Sequence, residues 1–121
     1  MKMDALLKKI ESKNVKVGVI GMGYVGLPLA IEIAKSDIEV TGIDLDEIKV
    51  NAINLGKSYV PDVASSLLNE QVQKKRLKAS SNFKIIKELD AIIICVPTPL
   101  NKTKDPDLTM VVSAVEEITK N

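Results

Sequence analysis

Three glycines and one aspartate give this chain its most specific chemical spacing. Gly21, Gly23 and Gly26 form the pattern G-x-G-x-x-G within Lys16-Val17-Gly18-Val19-Ile20-Gly21-Met22-Gly23-Tyr24-Val25-Gly26. An apolar, β-branched run precedes it and a helical pattern follows, which is the setting of a dinucleotide-binding turn. Gly21 permits the tight turn out of the strand. Gly23, with no Cβ, lets backbone approach a pyrophosphate, and Gly26 lets the helix pack close to the strand. The helix N-terminus adds N–H groups and the positive end of a dipole. Met22, Tyr24 and Val25 fall within this turn and complete the expected pyrophosphate site.

Asp44 ends the second apolar run, Glu39-Val40-Thr41-Gly42-Ile43, 18 residues beyond Gly26. That is where an acidic residue accepts hydrogen bonds from the adenosine ribose. Its charge repels a 2′-phosphate and no arginine lies nearby to receive one, so the expected cofactor is NAD rather than NADP. Lys49, one helical turn past Asp46, is placed to reach towards the same ribose. Cys95 lies in the apolar run Ala91-Ile92-Ile93-Ile94-Cys95-Val96 and reads as a core residue rather than a nucleophile, because burial raises a thiol pKa. No catalytic residue and no metal ligand set is expected.

Composition narrows the function classes. The chain has 121 residues, suiting one domain, and is 45% hydrophobic and 27% charged, as globular chains are. Its 17 Lys+Arg against 16 Asp+Glu give no basic excess for nucleic acid or an anionic membrane. Aromatics at 2% argue against base stacking. One cysteine and no histidine exclude an internal disulfide, a Cys/His zinc site and histidine acid–base catalysis within the chain. No apolar run approaches a membrane span and no apolar segment backs Lys8 and Lys9 as in a signal peptide, so a cytoplasmic location is expected.

The elements that must position the turn alternate along the chain. Residues 1–13 place Leu6, Leu7 and Ile10 at helical spacing, as an amphipathic helix that is a packing appendage or a dimer contact. Residues 14–121 form the main domain. Strands are expected at 15–20, 39–43, 77–80 and 91–96. Helices are expected at 24–35, 47–55 and 64–75, with a short helix or turn at 83–89 and a last helix at 108–119. Asp46 caps the second of these and Gly56 stops it. In the third, Val63, Leu67, Leu68 and Val72 form the apolar stripe. The continuous apolar run 91–96 reads as a central strand buried on both faces. This is an α/β chain: a doubly wound parallel sheet of about four strands, order 3-2-1-4, with flanking helices and right-handed crossovers. The crevice then opens between strands one and four, which brings Val96, Pro97 and Thr98 to the cofactor site beside the glycine turn.

The strings Gly21-Met22-Gly23-Tyr24-Val25-Gly26-Leu27-Pro28-Leu29-Ala30, Gly42-Ile43-Asp44 and Ile94-Cys95-Val96-Pro97-Thr98-Pro99-Leu100 resemble the N-terminal, Rossmann-type domain of the nucleotide-sugar 6-dehydrogenases. These act on UDP-glucose, UDP-N-acetylglucosamine and UDP-N-acetylmannosamine. The resemblance implies oxidation of a sugar C6 hydroxyl to a carboxylate with two NAD⁺. It implies pyrophosphate contacts at Gly21 to Val25, ribose contacts at Asp44 and Lys49, and cofactor contacts at Pro97 and Thr98. The loop Gly56-Lys57-Ser58-Tyr59-Val60-Pro61-Asp62 departs from the Ser-Pro-Ile-x-Glu-Pro-Gly type of the UDP-glucose enzymes. It is more similar to the N-acetylhexosamine branch, with UDP-N-acetylglucosamine favoured.

The family's catalytic lysine and Gly-rich cysteine motif do not occur in the sequence, and Cys95 does not match the catalytic position. The chain therefore reads as the cofactor domain of a longer enzyme, binding NAD without turnover. The UDP-sugar site falls mostly outside it, and the full enzyme is a homodimer or larger. The alternatives are a UDP-glucose 6-dehydrogenase and a non-catalytic NAD-sensing module.

Overall fold

The computed structural model describes Leu7, Lys8, residues 10–96, Val112, Val115, Glu116, Ile118 and Thr119. Four strands form one parallel sheet: β1 (Lys16–Ile20), β2 (Glu39–Ile43), β3 (Leu77–Ser80) and β4 (Ala91–Ile94), in the order β3-β2-β1-β4. Between them run α1 (Gly26–Lys35), α2 (Glu47–Asn54), α3 (Ser65–Gln73) and a 3₁₀ turn (Phe83–Glu88). The register places Ile20 beside Ile43 and beside Ile94, so β1, β2 and β4 end together. The doubly wound order is as the sequence requires.

Right-handed crossovers decide which face each connection covers. The steps from β1 to β2 and from β2 to β3 run the same way across the sheet, so α1, α2 and α3 share one face. The step from β3 back past β1 to β4 runs the other way, so the 3₁₀ turn covers the opposite face. The first face holds the main core, with Val19, Leu27, Ala30, Val40, Ile53 and Leu68 all fully buried. The second is thinner, with Ile20, Ile43 and Ile86 as its buried members. Ile118 packs against this second cluster.

Each end of α2 has a visible cause. The Ile48 N–H donates to Asp46 Oδ1 at 3.0 Å, satisfying an otherwise orphan donor. Gly56 follows at φ +73°, a left-handed conformation that stops the helix. The Asn54 amide then bonds both the N–H and the C=O of Ala79, closing part of the outer edge of β3.

Two local expectations, at β4 and on α3, differ from the structure. β4 is not buried on both faces: it is an edge strand among the described residues, and Ile93 is 36% exposed. It ends at Ile94, so it is shorter than residues 91–96. On α3 the buried face is rotated, with Gln71 buried and Leu67 exposed. Near the N-terminus, Leu7, Lys8, Ile10 and Glu11 are helical, with Leu7 and Ile10 about half exposed.

Candidate functional site

The glycine turn crosses the carboxyl ends of β1 and β4. Gly21 sits at φ +93°, and a Cβ there would lie 2.7 Å from the Cys95 carbonyl oxygen. Only a residue without a side chain makes this turn so close to β4. The Gly21 N–H donates to the Ile43 carbonyl at 2.8 Å, and the Cys95 N–H to the Ile20 carbonyl at 2.7 Å. The turn is thus stitched to β2 and β4 together. A Cβ on Gly26 would overlap the Gly21 carbonyl, which is the close helix–strand approach expected there. At Gly23 the outcome is the reverse: a Cβ would meet nothing within 4 Å. That glycine faces open space, as a backbone cradle for a diphosphate requires.

α1 starts without a side-chain cap and without an acidic residue in its first turn. Its N-terminus keeps its positive end for an anion. Tyr24 and Val25, at its entrance, are 75% and 68% exposed. Met22 is the opposite, with its side chain fully buried in the main core.

Asp44 leaves the end of β2 and turns back to the glycine turn. Its Oδ2 accepts from the Met22 N–H and its Oδ1 from the Asp46 N–H, both at 2.9 Å. A carboxylate offers about four acceptor positions. Two are used in holding the loop, and two remain for a diol. The cap of α2 is Asp46, so Asp44 is not consumed there.

A cleft of about 280 Å³ opens beside the turn, lined by Gly23, Tyr24, Lys49, Tyr59 and Val60. Lys49, half-buried, has its Nζ 6.0 Å from the centre of the Tyr59 ring. Tyr59 and Val60 were not expected at the site from the sequence. They come from the connection between α2 and α3, where Val60 is buried in the main core and Tyr59 packs against it. The Tyr59 hydroxyl donates to the Met22 carbonyl. Burial first, and then the carboxylates of Asp44 and Asp46, push that hydroxyl well above its ordinary pKa of 10.0. It stays a donor across the physiological range.

The structure therefore brings Gly21, Met22, Gly23, Tyr24, Val25, Gly26, Asp44 and Lys49 around one turn. Val96, half-buried, has its backbone against the turn, a Cβ on Gly21 lying 2.9 Å from its N, while its side chain packs with the second cluster. Pro97 and Thr98 lie outside the described residues. Cys95 is half-buried against the main core, and burial pushes its thiol pKa up, the behaviour of a structural thiol. Among the described residues no helix is long and apolar enough to cross a membrane.

Comparison with known proteins agrees with this geometry. A family model described as the UDP-glucose/GDP-mannose dehydrogenase family, NAD binding domain, matches residues 15–121. The UDP-N-acetyl-D-glucosamine 6-dehydrogenase of Salmonella typhi is 41% identical over 87% of this chain and 24% of its own. A UDP-N-acetyl-D-mannosamine dehydrogenase of Methanococcus maripaludis is 39% identical over 85% of this chain and 25% of its own. The crystal structure of a ternary complex of GDP-mannose dehydrogenase from Pseudomonas aeruginosa superposes with a TM-score of 0.81 at 34% identity, covering 84% of this chain and 24% of that one. The chain spans a quarter or less of the length of the curated relatives it matches. With a glycine turn, a β2-terminal aspartate and the 3-2-1-4 sheet in place, the chain belongs to the UDP-glucose/GDP-mannose dehydrogenase family, as its NAD-binding domain.

Proposed function

We propose that this chain is the cofactor-binding part of a nucleotide-sugar 6-dehydrogenase of the UDP-N-acetylhexosamine branch. The observation that carries the reading is Asp44: its carboxylate is held by the Met22 and Asp46 N–H groups at the mouth of the glycine turn, with acceptor capacity left over. In this reading Asp44 accepts both hydroxyls of the adenosine ribose. Lys49 closes on the same ribose from α2. Gly21 to Gly26 and the start of α1 receive the diphosphate. The branch is favoured by the relatives, a UDP-N-acetyl-D-glucosamine 6-dehydrogenase and a UDP-N-acetyl-D-mannosamine dehydrogenase.

NAD⁺, when bound, would supply the hydride acceptor: with two equivalents and one water as the source of the second oxygen, the sugar C6 hydroxyl would become a carboxylate, with two NADH and three protons released. This chain's own residues bind and orient; they move no proton of the substrate. The sequence has no histidine. Its single cysteine has its thiol pKa raised by burial. Residues 14–121 act as the cofactor domain, residues 1–13 as an appended helix, and the UDP-sugar contacts and homo-oligomer contacts belong mostly to other parts of a longer enzyme.

The test is calorimetric titration of the purified chain with NAD⁺, NADP⁺ and ADP-ribose. NAD⁺ and ADP-ribose should bind, and NADP⁺ at least tenfold more weakly. No NADH should form on adding UDP-N-acetylglucosamine. Failure to bind ADP-ribose overturns the site, and UDP-sugar-dependent NADH production overturns the binding-only role.

A further inference from the structure

Met22 is the most constrained residue of the turn. Its side chain is fully buried, lying so close over Gly42 that a Cβ there would be 2.6 Å from Met22 Cε. Its N–H donates to Asp44, and its carbonyl accepts from the Tyr59 hydroxyl. The next residue is its contrast, since Gly23 opens on empty space and Tyr24 is largely exposed. The Met22 carbonyl and the Gly23 N–H are two ends of one planar trans peptide. Fixing the direction of the carbonyl therefore fixes the direction of the N–H.

We propose that Tyr59 is a positioning residue of the cofactor site: by holding the Met22 carbonyl, it orients the Gly23 N–H as a donor to the diphosphate. This rests on the NAD reading above and adds a residue to it. The arrangement is preorganisation, in which a donor is aimed before the ligand arrives and no ordering cost falls on binding. Three features suit Tyr59 to the task. It comes from a connection tied into the core by Val60, so its backbone is anchored. Its ring packs against that core and lines the cleft, with Lys49 over its face. Its hydroxyl stays protonated, held so by burial and the Asp44 and Asp46 charges. Because Asp44 grips the N–H of the same residue whose carbonyl Tyr59 grips, the ribose side and the diphosphate side of the site share one rigid residue.

The experiment is Tyr59→Phe, which keeps the ring and removes the donor. Dissociation constants for ADP-ribose and for adenosine would be measured by NMR titration of the ¹⁵N-labelled chain. ADP-ribose, which carries the diphosphate, should bind about 3- to 10-fold more weakly, the worth of one hydrogen bond. Adenosine, which reaches only Asp44 and its surroundings, should bind within twofold of wild type. Equal loss for both ligands, or no loss for either, overturns the role. A wild-type chain that binds neither ligand overturns the cofactor reading along with it. Hydrogen exchange on the wild-type chain gives an independent answer should the variant not fold. ADP-ribose should slow exchange across residues 57–63 together with 21–26, and protection confined to 21–26 overturns the proposal.

Discussion

The two faces of the sheet are built to different depths. The face under α1, α2 and α3 buries a dozen side chains in one cluster, from Val19 and Met22 through Leu27 and Leu68 to Leu77. The face under the 3₁₀ turn buries Ile20, Ile43 and Ile86, with Phe83, Leu89, Ile92 and Ile94 only partly covered. The sheet edges differ in the same sense. β3 has its outer backbone bonded by Asn54, whereas β4 exposes Ala91 and Ile93. The glycine turn stands on the deep face, since both Met22 and Leu27 belong to that cluster. Binding groups need fixed positions to a fraction of an ångström, and close-packed interiors supply this. On the proposed NAD reading, the groups around the glycine turn are therefore expected to be rigid, while the β4 side tolerates change.

The sharpest way to break this contrast is a pair of truncations. Leu27 is fully buried on the deep face, so Leu27→Ala should cost about 2–5 kcal/mol through lost transfer energy and an uncollapsed cavity. Ile93, in register with Val19 and so facing the same side but on the open β4 edge, should cost less than about 1 kcal/mol on the same change. Urea unfolding measures both. Similar losses would mean that the two regions are equally packed in solution.

Next in size is Asp44→Ala. Hydrogen bonds to a charged group contribute about 1.5–3 kcal/mol net. NAD⁺ affinity should therefore fall roughly 10- to 100-fold by calorimetry. Because Asp44 also holds the Met22 and Asp46 N–H groups, the melting temperature should drop too. Unchanged affinity would remove Asp44 from the site.

The fold, and the place of Asp44 beside the glycine turn, were legible because their signals are local. Glu39–Ile43 and Leu77–Ser80 are strands with the bounds read from the sequence, the first as an apolar run and the second as a short apolar–polar alternation. The Asp46 cap and the Gly56 stop are equally local, each being a contact or a dihedral within a few residues. Tyr59 was not legible. Its hydroxyl reaches Met22 across 37 positions in sequence, and a tyrosine in a loop carries no periodic mark. The rotation of α3 escaped for a related reason: Gln71 is buried where the stripe favoured Leu67, and helix packing rather than hydropathy set that angle. Apolar composition also misled at β4. Four successive apolar residues suit a strand covered on both faces, yet their burial depends on neighbours that the run itself does not encode.

A smaller effect belongs to α2. Asp46→Ala removes the acceptor for the Ile48 N–H, and losing such a cap costs about 1 kcal/mol. In a domain of this size the melting temperature should fall by roughly 3–6 °C. Asp46→Ser, which restores an acceptor, should recover most of it. If the alanine variant melts as wild type does, the α2 start contributes nothing, and Asp44 alone must order the loop.

The smallest effect is a change of slope rather than of level. Tyr59 has its hydroxyl pKa raised in the fold, so the folded chain binds that proton more tightly than the unfolded chain does. The neutral hydroxyl's contribution is fully present below the unfolded value near 10. It is lost progressively as pH rises above that value towards the folded one. Thermal midpoints should therefore decline in alkali more steeply for wild type than for Tyr59→Phe, with the two curves running parallel from pH 7 to 9. If Tyr59→Phe declines in alkali as steeply as wild type does, burial and the Asp44 and Asp46 charges do not penalise a tyrosinate at position 59.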